Sequence, residues 1–182
     1  MAGKIKKRWK KISSEIDFER THLKLIKEKF ILPNGETKDF HKLKKDDFVV
    51  IIPKDKEFIY LINSFRWAIK KESLELSAGF IEKGESLLAA AKRELKEETG
   101  ITAKKFTYLG WYYVWIGMSD IKGHAFLAED LFFDKQNLES EEYGMTVKKI
   151  KLSELNDFVR KGRIKNGTTL NSLYLYLLRK KD

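Results

Sequence analysis

Short alternations of apolar and polar residues occupy most of this chain, and helical periodicity is confined to one central segment and the C-terminal end. Thr21 to Phe30 carries apolar residues at Leu23, Leu25 and Phe30, and Asn34-Gly35 is a hairpin-turn signal ahead of a strand from Thr37 to Leu43. Phe48 to Ile52 and Phe58 to Ile62 are apolar enough to be buried strands, with the polar Pro53-Lys54-Asp55-Lys56 as the turn between them. Leu74 to Ser77 is a short strand leading into a loop at Gly79. Phe106 to Val114 and His124 to Leu127 are further strands around a Gly117/Gly123 loop, and Met145 to Leu152 is another. Two helices close the chain: Glu154 to Lys161, stopped by Gly162, and Thr169 to Leu178, with Leu170, Leu173, Tyr174 and Leu177 on one face. The pattern predicts an α+β fold, a sandwich with helices on both sides of a mixed sheet. It also predicts an N-terminal β-rich element over residues 1–44 and a main domain over 45–182.

The central segment, Gly79 to Ile101, reads as a loop feeding a helix. Ser86 is the expected N-cap and Gly100 the expected C′ glycine, with strong helix formers between. At about 100° per residue, Leu87, Leu88, Ala91 and Leu95 make one apolar arc. Glu98 falls inside that arc, Glu94 beside it and Glu97 roughly 60° further round. Lys92 and Lys96 take the opposite face, so the glutamates are not simply the solvated side. A carboxylate turned toward a core costs several kcal/mol unless paired or bound to a cation. The i, i+3, i+4 spacing lets three carboxylates converge, and hard oxygen ligands suit Mg²⁺, with Mn²⁺ the second candidate, better than zinc. A surface helix laced with Glu/Lys pairs is the alternative reading of the same residues.

Composition narrows the picture. The chain has 182 residues, 42% hydrophobic and 13% aromatic, enough for one folded domain with a full core and a small appended element. With no cysteine, disulfides, thiolate chemistry and cysteine-based zinc sites are excluded. The basic start, MAGKIKKRWKK, leads into no apolar stretch, and no run approaches a membrane span, so a cytoplasmic protein without membrane partner is expected. The net charge of +10 favours anionic partners. Much of it lies at Lys4 to Lys11 and Arg179 to Lys181. No nucleic-acid motif accompanies it, so a solvated lysine-rich surface is favoured over nucleic-acid binding.

The Gly79–Ile101 string has the form G-x5-E-x7-R-E-U-x-E-E-x-G-U, with U apolar at Leu95 and Ile101, and resembles the Nudix hydrolase signature at every defined position. Tyr60 to Arg66 (YLINSFR), Glu75 to Gly79 (ELSAG), the Leu32-Pro33-Asn34-Gly35 turn and the closing Gly162, Ile164, Thr169 and Leu170 are similar to the ADP-ribose pyrophosphatase branch of that family. The resemblance implies an α/β/α sandwich and hydrolysis of a pyrophosphate bond in a nucleoside diphosphate joined to another group, with ADP-ribose or a related nucleotide sugar as substrate. It implies metal ligands at Glu94, Glu97, Glu98 and the carbonyl of Ala78, with Glu85 and Arg93 buttressing them. It also implies a general base from Glu139, Glu141 or Glu142, and substrate-side roles for Arg66, Glu75, Gly79 and Ile116. A homodimer in which the N-terminal element crosses to the partner follows from it too.

The chain departs from the branch at Ser64, where glutamine is usual, and at Ser77, where proline is. The branch's S-P-G-x-S-D-E loop stands here as Trp115 to Ile121 (WIGMSDI), with Ile116 for proline and Ile121 for glutamate. These changes leave the pyrophosphatase class intact and weaken ADP-ribose as the particular substrate. Trp111, Tyr112, Tyr113 and Trp115 form an aromatic run that could stack on a base, though core or dimer surface is the favoured reading. The competing functions are a pyrophosphatase of dinucleotides or modified nucleoside triphosphates, and a non-catalytic Nudix module sensing ADP-ribose-like ligands.

Overall fold

The computed structural model describes residues 8–20, 23–138 and 140–179, with the Glu141 side chain left aside. It resolves into two compact units, Met1–Asp46 with Trp115–Ile121, and Asp47–Val114 with Lys122–Asp182.

The first unit is an antiparallel sheet in the order β1 (Lys10–Arg20), β2 (Leu23–Ile31), β3 (Thr37–Lys44). The hairpin between β2 and β3 turns where Asn34-Gly35 predicts it. Gly35 takes a φ of 94°, its N–H reaches the Leu32 carbonyl at 2.9 Å, and Asn34 Oδ1 accepts from the Glu36 amide at 3.0 Å. The expected strand from Thr21 begins, among the described residues, at Leu23. β1 occupies the first part of the 1–44 segment, and bulges between Lys11 and Ser13 and between Ile16 and Phe18 interrupt its pairing with β2. The 115–121 loop attaches to β3: Leu43 N–H donates to the Met118 carbonyl at 2.8 Å, Leu43 bridges Ser119, and Lys42 pairs with Asp120 at 2.9 Å.

The second unit is built on a seven-stranded mixed sheet. Its central run is β10 (Thr146–Lys151), β5 (Phe58–Arg66), β4 (Phe48–Asp55), β9 (Lys122–Phe133) and β8 (Ile101–Tyr113), with β4 and β9 parallel. Beyond their hairpin end β4 and β5 part company. β6 (Lys71–Glu75) pairs with β5, and β7 (Ser77–Phe80) pairs with β4. The expected turn at Pro53 to Lys56 is shorter than predicted: β4 runs through Asp55, and the chain reverses at Lys56-Glu57, with Lys56 at φ 46°. Proline is tolerated at position 53 because that side of β4 has left β7 after Ile51 and joins β5 only from Lys54. Gly123 lies inside β9 rather than in a loop.

Three helices cover the sheet: α1 (Leu87–Thr99), α2 (Leu155–Arg160) and α3 (Gly167–Arg179). Successive residues of β4 and β5 face opposite sides, and both sides are buried. Val50, Ile52, Ile59 and Leu61 pack with Leu155, Leu173 and Tyr176, whereas Val49, Ile51 and Tyr60 pack with Ala90, Ala91 and Leu95. The unit is therefore an α/β/α sandwich, as predicted. Ser86 Oγ accepts from Ala89 N–H at 3.2 Å, and Gly100, at φ 68°, returns its N–H to the Lys96 carbonyl at 2.8 Å, so both caps of α1 stand where the sequence puts them. Leu88 leaves the expected arc and is 42% exposed, while Ala90 and Ala91 are fully buried. No helix among the described residues is long and apolar enough to cross a membrane.

Candidate functional site

The candidate site forms where β7 meets α1. Strand alternation sends Ser77 and Gly79 to the α1 side of β7 and Ala78 to the other, where it packs against the α2/α3 core. Gly79 pairs with Val49, deep in the sheet. A Cβ at Gly79 would lie 2.0 Å from the Glu94 carboxyl carbon, so any side chain there would have to displace the glutamate it faces. Beside it the Ala78 N–H donates to Glu98 Oε2 at 2.9 Å, tying strand to helix across the sequence.

Glu94 and Glu98 are buried, as the helical arc predicts for Glu98, and Glu97 is half-buried. Arg93 organises the flank. It forks onto Glu85 through Nε at 3.1 Å and Nη2 at 2.9 Å, donates to the Phe80 carbonyl at 3.0 Å, and reaches Glu94 at 2.6 Å and Glu97 at 3.2 Å. That fork fixes the Gly79–Ser86 loop to α1 and holds Glu85 below the usual carboxylate range. Burial acts the other way on the inner pair. It pushes Glu98 up to about 8, with the Glu94 carboxylate adding, and Glu94 up to about 6 against the opposing pull of Arg93.

The expected convergence of Glu94, Glu97 and Glu98 on one point is not the arrangement found. Among the described residues no three acidic or imidazole groups meet as a metal cage. Arg93 takes Glu94 and Glu97, and the Ala78 amide takes Glu98. Clustered carboxylates repel one another, and each turns to the donor within reach. The donor set nevertheless fits a hard divalent cation: every candidate ligand is oxygen, two carboxylates are buried with raised proton affinity, and a glycine keeps the space beside Glu94 clear.

Next to these groups lies a cavity of about 630 Å³ whose lining includes Arg66, Glu75, Ala78, Gly79, Phe80 and Lys165. Arg66 makes a two-point contact with buried Glu75, Nε to Oε1 at 3.2 Å and Nη2 to Oε2 at 2.8 Å. Four predicted residues (Arg66, Glu75, Ala78 and Gly79) thus share one cavity. Phe48, Phe80 and Lys165 were not singled out in the sequence. Only the closing glycine-isoleucine segment pointed toward Lys165.

The acidic loop is only partly described. Glu139 and the Glu141 side chain lie outside the described residues. Glu142 sits in a 3-10 turn over Ser140–Glu142, half-buried, and its charge helps raise the proton affinity of both Glu94 and Glu98. Ile116 belongs to the first unit, where it is 79% exposed. The aromatic run divides by strand parity. Tyr112 Oη bonds the Thr168 carbonyl at 2.9 Å and Ser172 at 3.1 Å, while Trp111 and Tyr113 meet edge-on at 5.0 Å and stay exposed.

Known proteins resemble this chain over most of its length. The sequence is 32% identical to an ADP-ribose pyrophosphatase of Bacillus subtilis strain 168 over 172 residues, 92% of each chain. It is 29% identical to a methanol dehydrogenase activator of Bacillus methanolicus over 173 residues, again 92% of each. A crystal structure of an ADP compounds hydrolase superposes with a TM-score of 0.86 over 96% of this chain and 95% of that one, at 21% identity, which speaks to the fold. The NUDIX domain model matches residues 43–165, a span holding the loop, the capped helix and every carboxylate of the site, and the chain belongs to the Nudix family.

Proposed function

We propose that this Nudix hydrolase cleaves the pyrophosphate bond of ADP-ribose or a related nucleotide sugar, with Mg²⁺ as the working ion and Mn²⁺ able to replace it. The observation that carries this reading is the adjacency of Glu94 and Glu98, buried against Ala78–Gly79, to the cavity that holds Arg66. The name of the Bacillus subtilis relative supports the substrate class. In this proposal Glu94, Glu97, Glu98 and the Ala78 carbonyl hold the cation, and Arg93 with Glu85 keeps their helix seated on its loop. A bound divalent ion supplies charge neutralisation at the phosphates and lowers the pKa of an attacking water. Arg66 contacts a phosphate oxygen through the guanidinium N–H groups not committed to Glu75, and Glu75 fixes the plane of that guanidinium.

One of Glu139, Glu141 and Glu142 activates the water, because a carboxylate bound to metal is a poor proton acceptor. The charge of Glu142 acts on both Glu94 and Glu98, as that of a base beside the cation would. Glutamine at each of the three positions in turn should produce one large kcat loss with little change in metal affinity. Three small and equal losses would place the base elsewhere. Ile116 is assigned a substrate-binding role, as the resemblance implies.

We further propose a homodimer formed through the N-terminal β-element (residues 1–44), with 45–182 as the catalytic domain. A monomer mass by light scattering at micromolar concentration would defeat the dimer. A cytoplasmic location completes the proposal, and fractionation of the producing cells tests it.

The deciding experiment incubates the protein with ADP-ribose, ADP-glucose, GDP-mannose, a dinucleotide and a nucleoside triphosphate in Mg²⁺, and reads phosphate release after coupling to a phosphatase. Turnover of the nucleotide sugars that chelator abolishes supports the proposal. Turnover confined to dinucleotides or triphosphates replaces the substrate class, and ADP-ribose binding without turnover would make the chain a sensing module.

A further inference from the structure

Ser77 Oγ is the buried side-chain polar atom that, among the described residues, has no hydrogen-bond partner. The residue is fully buried. Its direction follows from the strand. Ser77 shares its face of β7 with Gly79, whose missing side chain would strike the Glu94 carboxylate, so the hydroxyl too faces α1. Ser77 pairs with Ile51, which packs in the cluster containing Ala91 and Leu95 of that helix. Glu98 follows Glu94 by one helical turn, and the Ala78 amide, next in chain to Ser77, already bonds Glu98 Oε2 at 2.9 Å. The hydroxyl also counts among the groups that favour the ionised Glu98, although it completes no hydrogen bond to it. Where the related branch carries proline, which has no donor, this chain buries a donor beside a carboxylate and leaves it unused.

We propose that Ser77 is a positioning residue for Glu98: when Glu98 engages a divalent cation, the Ser77 hydroxyl donates to the carboxylate lone pairs left by the Ala78 amide and fixes its orientation. This rests on Glu98 being a cation ligand. A carboxylate with two donors behind it loses the freedom to rotate away from the ion, and partners of this kind commonly change metal affinity by about 10- to 100-fold. Without the cation the same hydroxyl is a buried unsatisfied group and costs stability rather than adding to it.

The test compares wild type, Ser77→Ala, Ser77→Cys and Glu98→Gln in the full chain. Mn²⁺ affinity is read from the EPR signal of free ion, thermal unfolding is followed in chelator, and kcat and KM are measured separately. Ser77→Ala should weaken Mn²⁺ binding fivefold or more and lower kcat with KM within twofold. It should also melt in chelator no lower than wild type, since no made bond is lost. Ser77→Cys, close in size and a weaker donor, should fall between the two, and it carries the test if the alanine variant does not fold. Mn²⁺ affinity in Ser77→Ala within fivefold of wild type overturns the positioning role while Glu98→Gln still weakens binding. An unchanged affinity in Glu98→Gln removes Glu98 as a ligand, and the inference with it.

Discussion

Gly79 and Glu94 occupy one space between them: a Cβ built on the glycine falls 2.0 Å from the Glu94 carboxyl carbon. Any side chain at 79 must therefore displace Glu94, which Arg93 grips at 2.6 Å from the other side. Gly79→Ala should keep its fold at a cost of about 1–3 kcal/mol, typical of an extra methyl in a packed site. Turnover should suffer more, because a displacement of about 1 Å in a positioned group costs about a hundredfold. A urea melt and a kcat measurement at saturating Mg²⁺ check the two halves. Unchanged kcat in folded Gly79→Ala would mean Glu94 does not need its present place.

Glu98 is the most buried acid among the described residues of the site, and its carboxylate accepts from the Ala78 amide. Glu98→Gln keeps the shape and one acceptor oxygen for that amide, so the fold should persist. It removes a negative charge where the cation must be held, so kcat should fall by two or more orders of magnitude. Near-wild-type turnover by folded Glu98→Gln would end the assignment.

The same burial sets a pH dependence. Folding raises Glu98 from its ordinary 4.5 to about 8 and Glu94 to about 6. Below the unfolded value both states hold the proton and burial carries no penalty. As pH rises, the unfolded chain gives up protons that the folded state keeps, so stability is lost from about 4.5 until the loss is complete above about 8. In chelator, the urea midpoint of wild type relative to Glu98→Gln should fall steadily between those limits. Cation binding must displace these protons, so apparent Mn²⁺ affinity should climb over the same range. A flat difference between the two proteins would show that Glu98 is already ionised without metal.

Much of this was legible because local rules and the fold agree. Ser86 and Gly100 cap α1 as their chemistry dictates, Asn34-Gly35 turns a hairpin, and the unbroken burial of Val49 through Ile52, shared in turn between two core clusters, follows from a strand covered on both faces. Glu98 is detectable as a carboxylate on an apolar arc. What escaped depends on contacts distant in sequence. Leu88 is exposed while Ala90 is buried because the sheet lies closer to one side of the helix than periodicity alone tells. The hairpin tip moved past Pro53 because β4 changes partner there. Lys165, in the connection between α2 and α3, comes to line a cavity with Arg66 from about a hundred residues away in the chain. The pairing of Glu94 and Glu97 with Arg93 needed rotamers that spacing does not specify.

We propose that substrate choice depends on the Trp115–Ile121 loop, where Ile116 and Ile121 stand for the branch's proline and glutamate. Met118 N–H bonds the Trp115 carbonyl at 2.9 Å, which puts Ile116 at the second position of a β-turn, a place proline favours. The turn thus survives without its proline, held also by Lys42–Asp120 and by the Leu43–Met118 bond. Ile116→Pro should add up to about 1 kcal/mol of stability by restricting the unfolded chain, and change selectivity little. On this proposal the lost glutamate is the larger change, since a carboxylate that can accept from sugar hydroxyls is replaced by an apolar group. We expect ADP-ribose to be hydrolysed with a kcat/KM advantage of under about a hundredfold (about 2.7 kcal/mol) over ADP-glucose, GDP-mannose and NADH at one Mg²⁺ concentration. Ile121→Glu should widen that advantage and Ile116→Pro should not. A wild-type preference of a hundredfold or more, or equal widening by both variants, would show that selectivity is set by residues other than the lost carboxylate.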